Sequence, residues 1–480
     1  MAGKSSFFAA PTWVADKGPR GVNVASYLQR RELGHRPTTS GRQRDDEKQA
    51  LSSFISRRLP GAYGEPVEFD LDGADKIFAA VWLNDNHVVL GTKCNRMCVL
   101  AVDTGRKVWI PLVGVDEDVT PPLFESLIPG GGGGSGDAPA DVDEADLAAQ
   151  SEYPMLATVL ERRRAAYTRM HGTGVRCLAI NRAQTLLAVG VGKPLGDIQI
   201  YSLPTFTPAA ILRGHRDMVF SLIWVSDSLL VSGARDTTVR TWDLASSLAT
   251  PTLTPTPKRS SRRRSSHTLF PPLPTIQPTS TMREHRQKVR DMQYSPASLS
   301  LATLSADGFV KLWDAQQMRV GAAIPLRYTE ETCCLAMADR DMSSVSSAPL
   351  YAVGSAYKVS VLDSRARETV LTFDSLDEGW GVRSLLFEDA VISIGGGKGR
   401  ISFFDLRMPA YISWESARSD NERYLSTGAG YLERDNVIDE TFEGGEFRNA
   451  VYVLSRRNGR LFAAGGPLQM SLRGSYAGIW

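Results

Sequence analysis

The 480-residue sequence predicts an all-β fold: a seven-bladed β-propeller preceded by an N-terminal helix–loop–helix. Two observations carry this. One strand unit recurs along the chain, and several copies lie ~40–45 residues apart, the length of a propeller blade. The unit opens with a short strand that starts on a β-branched residue. A second strand ends in Gly or Ser, a polar turn follows, and a third strand ends near Trp-Asp. The clearest copy runs Val219-Phe220-Ser221-Leu222, Val231-Ser232-Gly233-Ala234-Arg235-Asp236 and Val239-Arg240-Thr241-Trp242-Asp243, with His215 ahead of it in Arg213-Gly214-His215. The next runs Val289-Arg290-Asp291-Met292, Ser305-Ala306-Asp307-Gly308 and Val310-Lys311-Leu312-Trp313-Asp314. Asp and Gly make the tight hairpin turns. Alternating apolar residues bury one face of each strand. The Gly-His and Trp-Asp signatures make the repeat WD40-type, and His215 reads as structural.

Weaker copies begin at Ile77, Val175, Thr332, Val382 and Val451, bringing the total to seven. The last ends at Trp480 with three readable strands, so Pro66 to Leu71 is expected to supply the fourth and remove a free sheet edge. The propeller is thus assigned to residues 63–480. In residues 1–62, Val22 to Leu33 and Asp45 to Leu59 carry apolar residues at helical spacing, separated by Pro37 and Gly41. Two insertions interrupt the blades. Residues 113–170 contain Gly130 to Gly134 and an acidic stretch, and read as a flexible linker followed by a short helix near Ala157 to Ala166. Residues 245–285 are rich in Pro, Ser and Thr around Arg262-Arg263-Arg264, and read as a disordered loop.

Composition narrows the function. Lys and Arg number 55 against 53 Asp and Glu, a formal +2, which disfavours a general nucleic-acid binder. The five cysteines, Cys94, Cys98, Cys177, Cys333 and Cys334, are scattered and odd in number, which suits a reducing compartment better than a disulfide framework. No apolar run reaches the ~18 residues of a spanning helix, and no signal-peptide pattern opens the chain. The expectation is an intracellular protein of cytoplasm and nucleus, without membrane or nucleic-acid partners. No phosphate-binding loop and no His-Glu-x-x-His motif is present. The run Gly395 to Gly399 reads as a hairpin turn, and Cys333-Cys334 as part of a strand. The chain therefore reads as a binding module, without catalytic residues, cofactor or metal.

Aligning the copies exposes a candidate site. The second position of each inner strand reads Phe78, Arg176, Phe220, Arg290, Cys333, Arg383 and Tyr452. These positions lie near one mouth of a propeller's channel. Lys93 and Arg235, in the turns after two second strands, open on the same side. Lys76 and Lys288 sit just before their inner strands. Cations crowded at a narrow mouth repel one another unless an anion occupies the site, and the arginine fork grips carboxylates with two bonds. The plainer alternative pairs each arginine with a neighbouring acid, such as Arg235 with Asp236 or Arg290 with Asp291.

Longer motifs add a resemblance. Lys76-Ile77-Phe78-Ala79 with Trp82-Leu83-Asn84, Gly91-Thr92-Lys93-Cys94-Asn95, Tyr351-Ala352-Val353-Gly354-Ser355, Gly465-Gly466-Pro467 and the ending Gly474-Ser475-Tyr476-Ala477-Gly478-Ile479-Trp480 closely resemble the cullin-4-associated factor 12 family. The front segment with Tyr27-Leu28 and Arg31-Glu32 is also similar. The resemblance covers roughly residues 20–112, 172–244 and 284–480. It implies a substrate receptor of cullin-4 RING ubiquitin ligases, docked on the damage-specific DNA-binding protein 1 adaptor. The implied ligand is a substrate C-terminus ending in two glutamates. By resemblance, Lys76, Lys93, Arg235, Lys288, Arg290 and Arg383 match the family's basic pocket; Arg176 is a candidate from blade geometry alone. Adaptor docking would use Tyr27 and Leu28, together with the family's blade-end Asp-x-Arg, here Asp363-Ser364-Arg365 and Asp405-Leu406-Arg407. The plainer reading of that motif is an exposed ion pair worth ~0–1 kcal/mol. The competing function is a WD40 scaffold for protein–protein interaction without a ligase role.

Overall fold

The computed structural model describes residues 65–114, 173–192, 194–245, 273–338, 349–377, 380–388, 390–412, 424–433, 447–470 and 472–480. These form seven sheets, antiparallel but for one short parallel strand added to blade two. The inner strands of successive blades touch in order, and that of blade seven (Asn449–Arg457) returns to that of blade one (Ile77–Asn84), closing a ring. Apolar clusters straddle neighbouring blades. One joins Val231 and Val239 of blade three to Val289, Met292, Leu301 and Trp313 of blade four. Another joins Leu90 and Cys98 of blade one to Val453 and Phe462 of blade seven. The core is therefore a set of blade–blade seams, the expected result when a single sheet cannot bury its own faces.

The glycine that ends many second strands has its reason in these seams. A Cβ at Gly233 would lie 2.7 Å from Cγ1 of Val289, which opens the next blade's inner strand. Gly91 meets Val175, Gly354 meets Val382 and Gly395 meets Val451 in the same way. Gly233→Val should therefore force blades three and four apart and cost about 1–3 kcal/mol, read as a lowered denaturation midpoint.

Blade seven is completed from the other end of the chain: Val67 pairs with Ile479 and Glu68 with Gly478, and the Phe69 N–H donates to the Ala477 carbonyl at 2.9 Å. The expected helix–loop–helix of residues 1–62 and the short helix near Ala157 to Ala166 lie outside the described residues. So does most of the 113–170 insertion, although Val113 is bonded through both backbone groups to the Gln199 amide.

The 245–285 segment needs correction, because its last part is built into the fold. Thr275–Ile276 adds a parallel strand to the outer edge of blade two. Ser280–Met282 is the outer strand of blade three. The Pro and Ser content had masked two short strands that cover exposed sheet edges. Two inner strands also begin later than expected, at Cys177 and Cys334 rather than Val175 and Thr332, so Cys333 precedes its strand.

Candidate functional site

The second position of the inner strand is where the regular ladder breaks. In blades one, three, four, six and seven the register shifts around the residue after the repeat's opening Ile or Val, leaving Phe78, Phe220, Arg290, Arg383 and Tyr452 as the extra, bulged residue. In blades two and five the ladder begins just after Arg176 and Cys333, whose N–H groups still donate to the Gly190 and Gly354 carbonyls at 3.3 Å. A bulge re-aims its side chain away from the sheet face. All of these side chains are half-buried, which suits a lining of the channel mouth.

Aromatic and cationic neighbours then stack around that ring. The Arg176 guanidinium lies 3.9 Å from the Phe78 ring centroid, and that of Arg290 lies 5.1 Å from Phe220. Phe78 meets Tyr452 edge-on at 5.2 Å. Such contacts hold a guanidinium by its flat face and leave its N–H edge able to bond.

The cations fall into two groups. Arg235, Lys288 and Arg290 line one cavity of about 520 Å³ together with Gln287, Ala306, Thr329, Glu331 and Thr332. Arg383 reaches the same wall through Glu331, with Nη2 3.0 Å from Oε2, and its Nε donates to the Trp380 carbonyl at 3.3 Å. Burial would lower the Arg383 pKa, but Cys333, Tyr452 and Glu331 around it raise it, so the guanidinium stays charged. Arg235 lies 3.8 Å from Asp217.

Lys76 and Lys93 form the second group. Their ammoniums lie 3.4 and 3.6 Å from the two oxygens of Asp75. Lys76 is wholly buried and donates to the Leu472 carbonyl, while Lys93 donates to that of Met470. Burial pushes the Asp75 carboxyl up, but the two ammoniums outweigh it and hold the group below its usual range. Arg176, stacked on Phe78 two residues after Lys76, also donates through Nε to the Thr173 carbonyl at 3.0 Å.

Two acids in this site, Asp75 and Glu331, were not anticipated as its parts, and a third, Asp291, was considered only as a local partner of Arg290. Asp75 and Glu331 neutralise some of the cations; each stands next to an inner-strand start, a sequence position that could have flagged them. Asp291 faces inward beneath the bulge. Burial pushes its carboxyl up to about 6, against the N–H groups of Leu335 and Met292 and the Ser221 hydroxyl that bond it. Two cationic neighbours also act on Cys333: after the Cys334 thiol, and against burial, the Arg383 and Arg290 guanidiniums help draw its thiol down to about 7. Among the described residues no cluster of His, Cys, Asp and Glu could hold a metal ion.

At the opposite ends of the blades, Asp363 and Asp405 are buried turn-formers. Each accepts the N–H of the residue two further on, Arg365 and Arg407, at 2.8 Å. Asp243 and Asp314 make the same turn with Ala245 and Gln316. The turn bond itself is made by a backbone N–H, which a residue other than arginine also supplies at that place. Tyr27 and Leu28 lie outside the described residues.

Comparison with known proteins follows this geometry. A family model described as the DDB1- and CUL4-associated factor 12 beta propeller matches residues 64–123 and 150–480. The chain is also similar to a ribosome biogenesis protein, the WDR12 homolog of Aedes aegypti, at 31% identity over 94 residues, or 16% of this chain and 22% of that protein. The match thus spans well under two thirds of that relative. Among solved structures, one described as the structure of U3-55K is similar with a TM-score of 0.52 at 12% identity, covering 88% of this chain and 100% of that one. At that identity the likeness concerns the fold alone.

Proposed function

This chain belongs to the DDB1- and CUL4-associated factor 12 β-propeller family, and from that premise we propose that it is the substrate-recognition subunit of a cullin-4 RING ubiquitin ligase. In this reading it binds substrate C-termini that end in acidic, Glu-Glu type residues, docks on the damage-specific DNA-binding protein 1 adaptor, and does no chemistry itself. The observation that carries the reading is the cavity lined by Arg235, Lys288 and Arg290, with Arg383 on its wall, in a chain whose charges almost cancel.

The chemistry fits a chain end better than an internal acidic stretch. A C-terminus with two glutamates offers three carboxylates on two adjacent residues. Arg290, Arg235 and Lys288 can each meet one through charge-assisted hydrogen bonds. Stacking of Arg290 on Phe220 limits the freedom lost when the ligand arrives. The Lys76–Lys93 pair, held on Asp75, would join only after its bonds to the Met470 and Leu472 carbonyls open.

The deciding experiment measures binding of a peptide ending in Glu-Glu beside the same peptide amidated at its C-terminus. The free acid should bind, the amide should lose about tenfold or more, and the free-acid affinity should fall about tenfold between 0.05 and 0.5 M salt as screening tightens. Equal binding of acid and amide, or binding of neither, would remove the acidic-end reading.

A scaffold without a ligase is the second reading, favoured by the partial match to a ribosome biogenesis protein. The two separate on adaptor copurification. A ligase receptor brings the adaptor with it and loses it when residues 22–33 are deleted; a scaffold does neither.

A further inference from the structure

Recognition of an acidic terminus leaves a set of rim aromatics unused. Tyr328, Tyr357 and Trp380 are 37%, 44% and 38% exposed, leaving part of each large ring open to a partner. They follow one path that begins at the cavity wall. Tyr328 adjoins Thr329, which with Glu331 lines the cavity. The Glu330 carbonyl accepts the Ala356 N–H at 3.0 Å, next to Tyr357, and the Ala356 carbonyl accepts the Gly381 N–H at 3.0 Å, next to Trp380.

Each ring is also held in place. The Tyr357 hydroxyl donates to Glu330 at 2.7 Å. The Lys358 ammonium lies 4.9 Å from the Tyr328 centroid, and that of Lys398 lies 5.3 Å from Trp380. The Trp380 carbonyl takes the Arg383 Nε–H, so this ring and the cavity wall share a residue. On blade one, by contrast, the Met470 and Leu472 carbonyls close over Lys93 and Lys76. Among the described residues, a peptide whose end sits between Arg290 and Arg383 can leave across blades five and six, where the Trp380 backbone joins the cavity wall to these rings.

We propose that Tyr328, Tyr357 and Trp380 form a second subsite, which receives an aromatic or aliphatic side chain of the substrate within about six residues, or ~20 Å of extended chain, of its acidic end. The inference rests on the acidic-end reading above and names a further requirement of the same ligand. Charge alone would admit any acidic terminus; the rings add a preference for particular ones. Held rings lose little freedom on binding, so burial of an apolar partner against them shows as affinity.

The test uses the full-length protein and fluorescent twelve-residue peptides ending in Glu-Glu. One peptide carries only Ser and Gly upstream, and the others place a single Leu or Phe at each of the six positions before the acidic pair. At one or two adjacent positions the apolar residue should raise affinity roughly tenfold. A Trp380→Ala/Tyr357→Ala double variant should lose that gain while binding the Ser/Gly peptide as the wild type does, which also reports that the fold is intact. Trp380→Ala alone carries the same test if the double variant does not fold. The proposal is overturned if no position in the scan gives a gain, or if the gain survives removal of the rings; undiminished binding of the Ser/Gly peptide would then leave the acidic-end reading standing. Failure of every Glu-Glu peptide to bind would overturn both.

Discussion

Arg290→Glu and Arg383→Glu should each lower affinity for a Glu-Glu-ended peptide by about 100-fold or more, without unfolding the propeller. Removing one partner of a desolvated charge pair costs about 2–5 kcal/mol, and reversing the sign adds repulsion. Both residues occupy bulges at the channel mouth rather than seam positions, so the apolar seams between blades remain although the Arg383–Glu331 and Arg290–Phe220 contacts are lost. Glu331 supplies the opposing control. Its carboxylate holds Arg383 and competes with any incoming one, so Glu331→Gln should strengthen peptide binding several-fold. Binding of the free-acid peptide to each variant, with melting curves alongside, is the measurement. Unchanged affinity in both arginine variants would remove the pocket assignment, and weaker binding by the glutamine variant would mean that Glu331 positions Arg383 rather than competes for it.

These expectations rest on a site that was only half legible in the sequence. Blade number and the bulged positions follow from repeats, because each repeat opens on a β-branched residue and faces a small residue, Gly or Ser, at the end of the second strand. Arg235, Lys288 and Arg290 come together from blades three and four because their places in the repeat are equivalent or adjacent. Repeat alignment says nothing about which acids reach the site. Asp75 and Glu331 lie in connections between blades, where no periodic pattern fixes their direction. Trp380 was invisible for the same reason: an aromatic in a loop has no partner position that marks it as exposed or buried. Thr275–Ile276 and Ser280–Met282 were hidden by composition, since two- and three-residue strands are too short to show alternation.

His215→Ala should lower stability by about 2–4 kcal/mol, far more than an exposed histidine would. His215 stands in a directed chain of hydrogen bonds: the Trp242 indole N–H donates to Ser232 Oγ at 2.8 Å, the Ser232 hydroxyl meets His215 Nε2 at 2.7 Å, and His215 Nδ1 reaches Asp236 at 3.0 Å. Asp236 also accepts the Thr238 hydroxyl and the Arg216 N–H, tying the turn to the strands. Blade four repeats the network with Trp313, Thr303, His285 and Asp307. Truncation leaves a cavity beside a fully buried tryptophan and strands the Ser232 and Asp236 partners, two costs that add. The network also sets a pH dependence. Burial, outweighing the Asp236 and Asp307 carboxylates, holds both histidines below their ordinary value, so the unfolded chain takes up protons first. Stability should be full above the ordinary histidine pKa of about 6.5 and fall progressively as the pH drops below it. Asp236, which the His215 contact holds low against burial, loses its contribution in the same direction at lower pH. Denaturation midpoints measured between pH 5 and 8 on the wild type and His215→Ala decide the matter: the variant should be less stable throughout and show a shallower acid slope. A parallel slope would mean that His215 does not carry the acid sensitivity.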